Sequence, residues 1–306
     1  MPWLYQERNF IFAGKFNCNE GVKFSAELQR LSGKSFGYAV FGMAILENEL
    51  FVVSNENVTV IYDLPTLSFR RRWKVPREGT YDDFKQCNVN KWLFMMKVDS
   101  KTNNEIIRVD PNGNELSAWS VDKARGQLSV TSESNILLTV SSMNELHEYS
   151  PDGKLVQVLH LPWNSGIEKP SHAIKLTSEH FVVCHGKFGD PLIRVCIVDM
   201  AGNVLKYYGE LNKKQLAYPV YLDRDGVGNI LVVDQRMSQV LLLGSDLKFK
   251  RDLIIHESRH PGNFTEGHPK KVCFDTSCGR VLMVEHITEY YKDIIRGKDT
   301  VSVFEV

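Results

Sequence analysis

Two short motifs in this chain have spacings that serve catalysis in other folds. Residues 256–260 (HESRH) have the H-E-x-x-H spacing, which on a helix puts both histidines on one face for Zn²⁺ and leaves the glutamate as a base. They follow a β-rich run, and Pro261-Gly262 would end any helix there. Residues 33–37 (GKSFG) have the spacing of a nucleophile elbow, which needs a strand, a turn and a helix on a parallel sheet. Neither motif has the elements that its chemistry requires.

A basic run is the strongest nucleic-acid signal in the chain. It consists of Arg70, Arg71, Arg72, Trp73 and Lys74. Arginine beside an aromatic residue can stack on bases and pair with phosphates. The same charges on an outer strand would instead discourage association between sheet edges, and the sequence favours this interpretation while leaving both open.

The overall charge excludes a general binder of polyanions. Lys and Arg together number 37, as do Asp and Glu, so no whole-molecule field attracts nucleic acid or an anionic membrane. We therefore expect a protein partner first and RNA second, without DNA or membrane binding. No cofactor is predicted.

The length and composition predict one folded domain. The chain has 306 residues, of which 43% are hydrophobic, enough for a sizeable core. It shows neither a secretory leader pattern nor a run of the roughly 18 apolar residues that would cross a membrane. Six scattered cysteines fit reduced core thiols better than a disulfide framework. We expect a monomeric cytoplasmic domain.

One sequence pattern recurs six times. A short turn is followed by four or five apolar residues, which begin at positions 50, 92, 136, 181, 230 and 281, with spacings of 42, 44, 45, 49 and 51 residues. These runs are too short and too rich in β-branched and aromatic residues for helices. Each unit has the length of a four-stranded propeller blade. The sequence therefore predicts an all-β, six-bladed β-propeller made of four-stranded antiparallel blades.

Turn signals divide each unit into strands. Residues 110–113 (DPNG), 150–153 (SPDG) and 199–202 (DMAG) have the residue types of hairpin turns into an outer strand. The predicted blade cores are 41–75, 83–121, 126–161, 171–209, 218–255 and 269–306. The last blade lacks a fourth strand, so we expect residues 9–16 to supply it by pairing with the C-terminal strand. Helix is expected nowhere, with residues 24–31 as the one exception.

Two of the units resemble a known repeat. In the fifth, residues 218–223 (YPVYLD), 228–234 (GNILVVD) and 239–243 (QVLLL) resemble an NHL repeat, and the fourth resembles the C-terminal propellers of invertebrate tripartite-motif-like proteins at 171–174 (SHAI) and 181–186 (FVVCHG). The resemblance is clear over about 130 residues and otherwise rests on the period. It implies a domain that binds protein or RNA partners.

Loop lengths predict the binding face. The connections between second and third strands and those between blades lie on one side of a propeller, which we call the long-loop face because residues 97–105, 162–170, 185–191, 256–268 and 285–299 all fall there. Long loops more often carry function than short turns do. The candidate binding residues on this face are His172, His185, Arg194, Arg236, Glu285 and His286.

An enzyme is the alternative that the sequence leaves open. Some six-bladed propellers, such as gluconolactonase-like hydrolases and amidating lyases, hold a metal in the central channel. Ca²⁺ would need several converging oxygen ligands, and the inner strands at 41–46, 127–131, 171–176 and 218–222 supply almost none, whereas His172 and His268 could be two ligands of a zinc site. We nevertheless expect a non-catalytic platform, with no catalytic or metal-binding residue assigned.

Overall fold

The fold is an all-β propeller of six four-stranded antiparallel blades, as predicted. The computed structural model describes residues 22–24, 29–36, 39–54, 57–64, 66–99, 103–121, 126–186, 190, 192–209, 216–256, 265–276, 279–291 and 294–305. Within these ranges the only helical element is a 3₁₀ turn at Trp163–Ser165. None of the helical structure in them is long or apolar enough to cross a membrane.

The strands follow the chain from the inner to the outer edge of each blade. Two strands come first, β1 (Val22–Phe24) and β2 (Gln29–Phe36). Blade one has β3 (Val40–Leu46), β4 (Glu49–Ser54), β5 (Val58–Asp63) and β6 (Ser68–Lys74). Blade two has β7 (Thr80–Cys87), β8 (Trp92–Val98), β9 (Glu105–Val109) and β10 (Glu115–Ser120). Blade three has β11 (Gly126–Val130), β12 (Ile136–Val140), β13 (Glu145–Tyr149) and β14 (Leu155–His160).

The second half of the ring repeats this order. Blade four has β15 (Pro170–Lys175), β16 (Phe181–His185), β17 (Arg194–Val198) and β18 (Val204–Tyr208). Blade five has β19 (Pro219–Arg224), β20 (Ile230–Asp234), β21 (Gln239–Leu243) and β22 (Phe249–His256), to which β1 adds a fifth strand. Blade six has β23 (Thr265–Asp275), β24 (Arg280–Tyr291) and β25 (Ile294–Glu305), and its outer strand is β2.

The predicted turns form for a local reason. Asp110 Oδ1 accepts hydrogen bonds from the backbone N–H of Asn112 (2.8 Å) and of Asn114 (2.9 Å), while Gly113 takes a positive φ of 87°. An aspartate that binds the backbone two and four residues ahead closes such a turn by itself. The same bonds recur at Asp199 and Asp225. The turn positions could therefore be found from sequence.

Apolar contacts between neighbouring blades hold the ring together. The buried side chains form six clusters, one for each pair of adjacent blades. The cluster between blades six and one, which includes Val40, Val284 and Val301, is built like the others. Because each blade buries both of its faces in this way, its middle strands are almost continuously apolar.

The ring closes through an N-terminal strand, but through a later one than expected. β2 pairs antiparallel with β25, from Gln29 opposite Glu305 to Phe36 opposite Asp299. Residues 9–16, which were expected to do this, lie outside the described residues. β2 (QRLSGKSF) is polar and has a weak strand signal, so its conformation follows from pairing with β25 rather than from propensity. The possible helix at 24–31 is also wrong where it can be checked, because Phe24 and 29–31 are in strands.

Blade six is taller than the other five. Its strands β23, β24 and β25 contain 11, 12 and 12 residues, whereas the strands of blades one to five contain between 5 and 8. Residues 285–299, expected to form a long loop, are instead mainly a hairpin in which β24 and β25 stay paired as far as Tyr291 and Ile294. The blade therefore projects from the long-loop face as a three-stranded wall.

Candidate functional site

Side chains near the centre of the ring link three inner strands to the next one along the chain. Asp83 of blade two accepts the N–H of Leu128 in blade three through Oδ2 (2.8 Å). His172 of blade four accepts the N–H of Leu222 in blade five (3.1 Å). Asp223 of blade five repeats the arrangement with the N–H of Phe274 in blade six (2.8 Å). These bonds satisfy backbone donors of the inner strands, which is a structural role.

His172 lies inside the ring and not on its surface. Its side chain is fully buried, its Nδ1 accepts the N–H of Leu222, and its Nε2 lies 3.0 Å from the carbonyl oxygen of Leu128. The ring stacks on that of Tyr221, with centroids 4.2 Å apart. Burial, followed by the charge of Lys85, lowers the pKa of His172 to about 3. With both nitrogens engaged by backbone, His172 has no free position for a metal or a partner, and the zinc pair with His268 loses one of its ligands.

A charged cluster fills the centre of the ring beside His172. Lys271 of blade six binds the Asp83 carboxylate at 2.5 Å and the carbonyl oxygen of Asp82 at 3.1 Å. Lys85 lies 4.6 Å from the centroid of the Tyr221 ring, and Lys271 lies 5.4 Å from it. Burial lowers the pKa of Lys271 and raises that of the Tyr221 hydroxyl.

Carboxylates do reach the inner strands: Asp83 lies on β7, outside the four ranges for which almost none was expected, and Asp223 lies on β19, one residue beyond the range 218–222. The signal was present in β7, where Asp83 and Lys85 alternate with Phe84 and Gln86. What the sequence could not show is that Lys271, from the far end of the chain, would meet Asp83 across the ring.

Blade four holds two of the candidate binding residues in different environments. His185 is buried, with its Nε2 3.6 Å from the Sγ of Cys196, and burial together with the charge of Arg194 lowers its pKa to about 4. Arg194 is half-exposed and its guanidinium lies 4.0 Å from the centroid of the Tyr207 ring. Arg194 is accessible to a partner, whereas His185, opposite it on the neighbouring strand, is buried.

The other three candidates, Arg236, Glu285 and His286, lie on blades five and six. Arg236 is exposed on the turn between β20 and β21. This turn is shaped by Asp234, whose carboxylate accepts the N–H groups of Ala217 (2.6 Å), Tyr218 (3.0 Å) and Met237 (3.0 Å). In the same turn, the hydroxyl of Ser238 lies 3.1 Å from His268 Nδ1, and this contact links the turn to the first strand of blade six.

Asp299 organises the base of the blade-six wall. Its buried carboxylate binds His286 Nδ1 at 2.7 Å and Lys270 Nζ at 3.0 Å, and it accepts the N–H of Val40 in blade one at 2.7 Å. His268, His286 and Asp299 are directly opposite one another on three adjacent strands. Glu285, next to this row, is buried. We call Arg236, His268, Lys270, His286 and Asp299 the blade-six mouth.

The basic run on blade one is largely neutralised by carboxylates. Arg70 pairs with Glu49 at 2.9 Å and Asp63 at 3.0 Å, while Arg71 binds both carboxylate oxygens of Glu49. Lys74 pairs with Glu78 at 2.8 Å. Trp73 packs over Gly113, and Arg72 is exposed. These ion pairs leave little of the positive field that phosphates would require.

The described residues contain no group of three or more His, Cys, Asp or Glu side chains arranged to hold a metal ion. The four cysteines in this part of the chain, Cys87, Cys184, Cys196 and Cys273, are free and buried.

Comparisons with known proteins support the propeller fold and show no family. No family model matches the chain, and neither does any curated protein sequence. Among solved structures, virginiamycin B lyase from Staphylococcus aureus is similar, with a TM-score of 0.57 and 10% identity, over 93% of this chain and 99% of that one. A protein of unknown function from Bacteroides caccae has a TM-score of 0.52 and 12% identity, over 71% and 82% of the two chains. At these identities the likeness shows the propeller fold alone, and the NHL resemblance stays a prediction.

Proposed function

We propose that this propeller is a non-catalytic binding platform that holds a protein partner on its long-loop face, at the blade-six mouth. The observation that carries the proposal is the height of blade six. Its strands continue beyond the row formed by His268, His286 and Asp299 as far as Tyr291 and Ile294. A wall beside the ring opening gives a partner two surfaces to contact, the face of the ring and the side of the wall.

The charge of the mouth favours a partner with carboxylates. Arg236 is exposed, and Lys270 and His286 share the single carboxylate of Asp299. Among the five residues of the mouth, the permanent cations Arg236 and Lys270 outnumber the one carboxylate, Asp299, although the chain as a whole has no net charge. Such local complementarity directs orientation and association rate. We place RNA second, because the basic run on blade one is paired with carboxylates.

Replacing two accessible side chains of the mouth should strongly weaken capture of the partner. We expect the Arg236→Ser, His286→Asn double variant to retain about tenfold less partner from a cell lysate, since charged interface side chains often dominate binding. The matched control, Lys154→Ser with Lys248→Ser, removes two exposed cations from short turns on the face opposite the long-loop face and should bind normally. Equal losses in both variants would contradict the assignment of the face. Loss of capture after nuclease treatment of the wild-type sample would place RNA before protein.

A hydrolase or lyase is the second candidate. Two imidazoles that can transfer protons, those of His268 and His286, are opposite one another at the mouth, and Glu285 adjoins them. The lyase from Staphylococcus aureus shares the fold. Metal analysis after dialysis and turnover of virginiamycin B test this candidate. Stoichiometric metal, or turnover that His286→Ala removes, would replace the binding platform with an enzyme.

A further inference from the structure

Among the described residues, the outer edge of blade four is uncovered, whereas the outer edges of blades five and six are covered. β22 of blade five is covered by β1, and β25 of blade six is covered by β2, so extended segments of this chain already pair with two blades from outside. The outer strand of blade one carries Arg70, Arg71 and Arg72. β18 of blade four pairs only with β17 among the described residues, and its sequence is VLKYY. Its outward backbone groups therefore form an edge suited to strand pairing.

Aromatic and aliphatic side chains flank this edge on the side of blade three. Tyr207 is 48% exposed and lies opposite Cys196, which belongs to the core shared with blade three. The connection that carries Trp163, which is 65% exposed, runs along the same flank, since its ends contact blade four at Gly202 and Leu192.

A second aromatic pair flanks the edge on the side of blade five. Tyr208 lies opposite Val195, a residue of the core shared with blade five, and stacks with Phe249 at a centroid distance of 6.5 Å. Phe249 is itself 48% exposed. Because side chains of a strand alternate between its two faces, a strand added to β18 would meet aromatic rings on both sides.

Charge at the edge discriminates between occupants. Lys206 and Lys250 are exposed on the blade-five side, and Arg194 lies over Tyr207 on the other. A second copy of this chain, paired antiparallel about the centre of β18, would place Lys206 directly opposite Lys206. Like charges in directly opposite positions destabilise a strand pair. The edge therefore suits an occupant with carboxylates and not another copy of itself.

We propose that β18 binds an extended, acidic segment of a partner protein by strand addition. The segment pairs through its backbone with the outer edge of β18, and on each of its faces an apolar residue contacts the aromatic rings while a carboxylate meets Arg194 or Lys206. Because side chains alternate between the two faces of a strand, a segment with two apolar residues followed by two acidic residues presents one apolar and one acidic side chain on each face. This surface is separate from the blade-six mouth, and the proposal stands whether or not the mouth binds a protein.

Fluorescence anisotropy with synthetic peptides tests the proposal on the whole chain. The probe is a labelled peptide with a Val-Val-Glu-Glu-Val-Val centre. Its controls are the same peptide with lysine for glutamate and the same peptide with alternate backbone amides methylated. We expect the acidic peptide to bind at least about tenfold more tightly than either control, and binding to weaken as salt is raised.

Variants test whether the peptide binds at β18 and distinguish this from nonspecific binding. Lys206→Glu should weaken binding of the acidic peptide about tenfold and strengthen binding of the lysine peptide, because the facing charge is reversed. The control, Val156→Ser on the outer strand of blade three, also changes an exposed edge residue and should leave both affinities unchanged. Thermal melting confirms that both variants are folded. Equal binding of all three peptides, equal effects of both variants, or a wild-type dimer that becomes tighter when the wild-type chain is mixed with the Lys206→Glu variant would each overturn the proposal.

Discussion

Two buried histidines should make this protein less stable in mild acid. The pKa is lowered to about 3 at His172 and to about 4 at His185, mainly by burial, against about 6.5 in an unfolded chain. Below about pH 6.5 the two histidines therefore bind protons in the unfolded state but not in the folded state. The free energy of unfolding then decreases as the pH is lowered, by at most about 1.4 kcal/mol per pH unit for each histidine. Denaturant unfolding between pH 7 and pH 5 should show this slope. His172→Asn should reduce it, whereas His180→Gln, at a surface turn, should not; a slope that survives in His172→Asn would show that other groups cause it.

For single residues, the sequence predicts the place of a residue within its strand or turn better than it predicts which other residues surround its side chain. Arg236 could be placed near a strand end, because strand period and turn signals fix its position, whereas His286 was expected at a strand end and lies within β24, which continues to Tyr291. That His172 would be sealed between Leu128 and Leu222, or that Lys271 would meet Asp83, depends on distances between blades far apart in the chain. The buried ion pair between Lys271 and Asp83 was missed because the residue pattern within one strand does not show which side chain of another strand will contact it.

Among the structural elements, the turns give a matched pair of glycines. Gly202 and Gly279 both have positive φ, 80° and 69°, so alanine at either position costs about 1 kcal/mol in backbone strain. A Cβ at Gly202 would also lie 2.3 Å from the carbonyl oxygen of His160, whereas one at Gly279 would meet nothing within 4 Å. We expect Gly202→Ala to lower the free energy of unfolding by about 1–3 kcal/mol more than Gly279→Ala does. Equal losses in denaturant melts would mean that blade three yields to the new methyl group.

The elements that sequence reasoning placed well are those with a local cause. A turn such as 110–114 forms its own hydrogen bonds, so its residues are sufficient to find it. β2 and the tall hairpin of blade six have no such local cause. β2 is a polar segment that becomes a strand because β25 offers it an edge, and the hairpin replaces a loop because β24 and β25 remain in register beyond the ring. Such elements follow from the assembled sheet and not from their own propensity.

For the whole molecule, closure joins the two ends of the described chain at one blade. Six similar cores surround the ring, and the one between blades six and one depends on strands from both ends. Asp299 adds a polar link there, since it accepts the N–H of Val40 while binding Lys270 and His286. The blade that projects from the long-loop face is thus also the blade that closes the ring. Binding at the mouth and stability of the closure share residues, so ligands of the mouth should stabilise the fold.

Deleting the closing strand should therefore destabilise the entire propeller. Removal of residues 1–37 takes away β2 and leaves β25, with its buried Val301, Val303 and Phe304, as an uncovered edge. Each buried apolar side chain contributes about 1.5–3 kcal/mol, against a typical domain stability of about 5–15 kcal/mol. We expect the truncated chain to melt at least about 10 °C lower and to aggregate through the exposed edge. Because this deletion also removes β1, the control is removal of residues 1–26, which takes away β1 and keeps β2. If the two truncated chains melt alike, β2 is not what closes the ring, and if both melt well below the whole chain, the earlier segment at 9–16 regains that role.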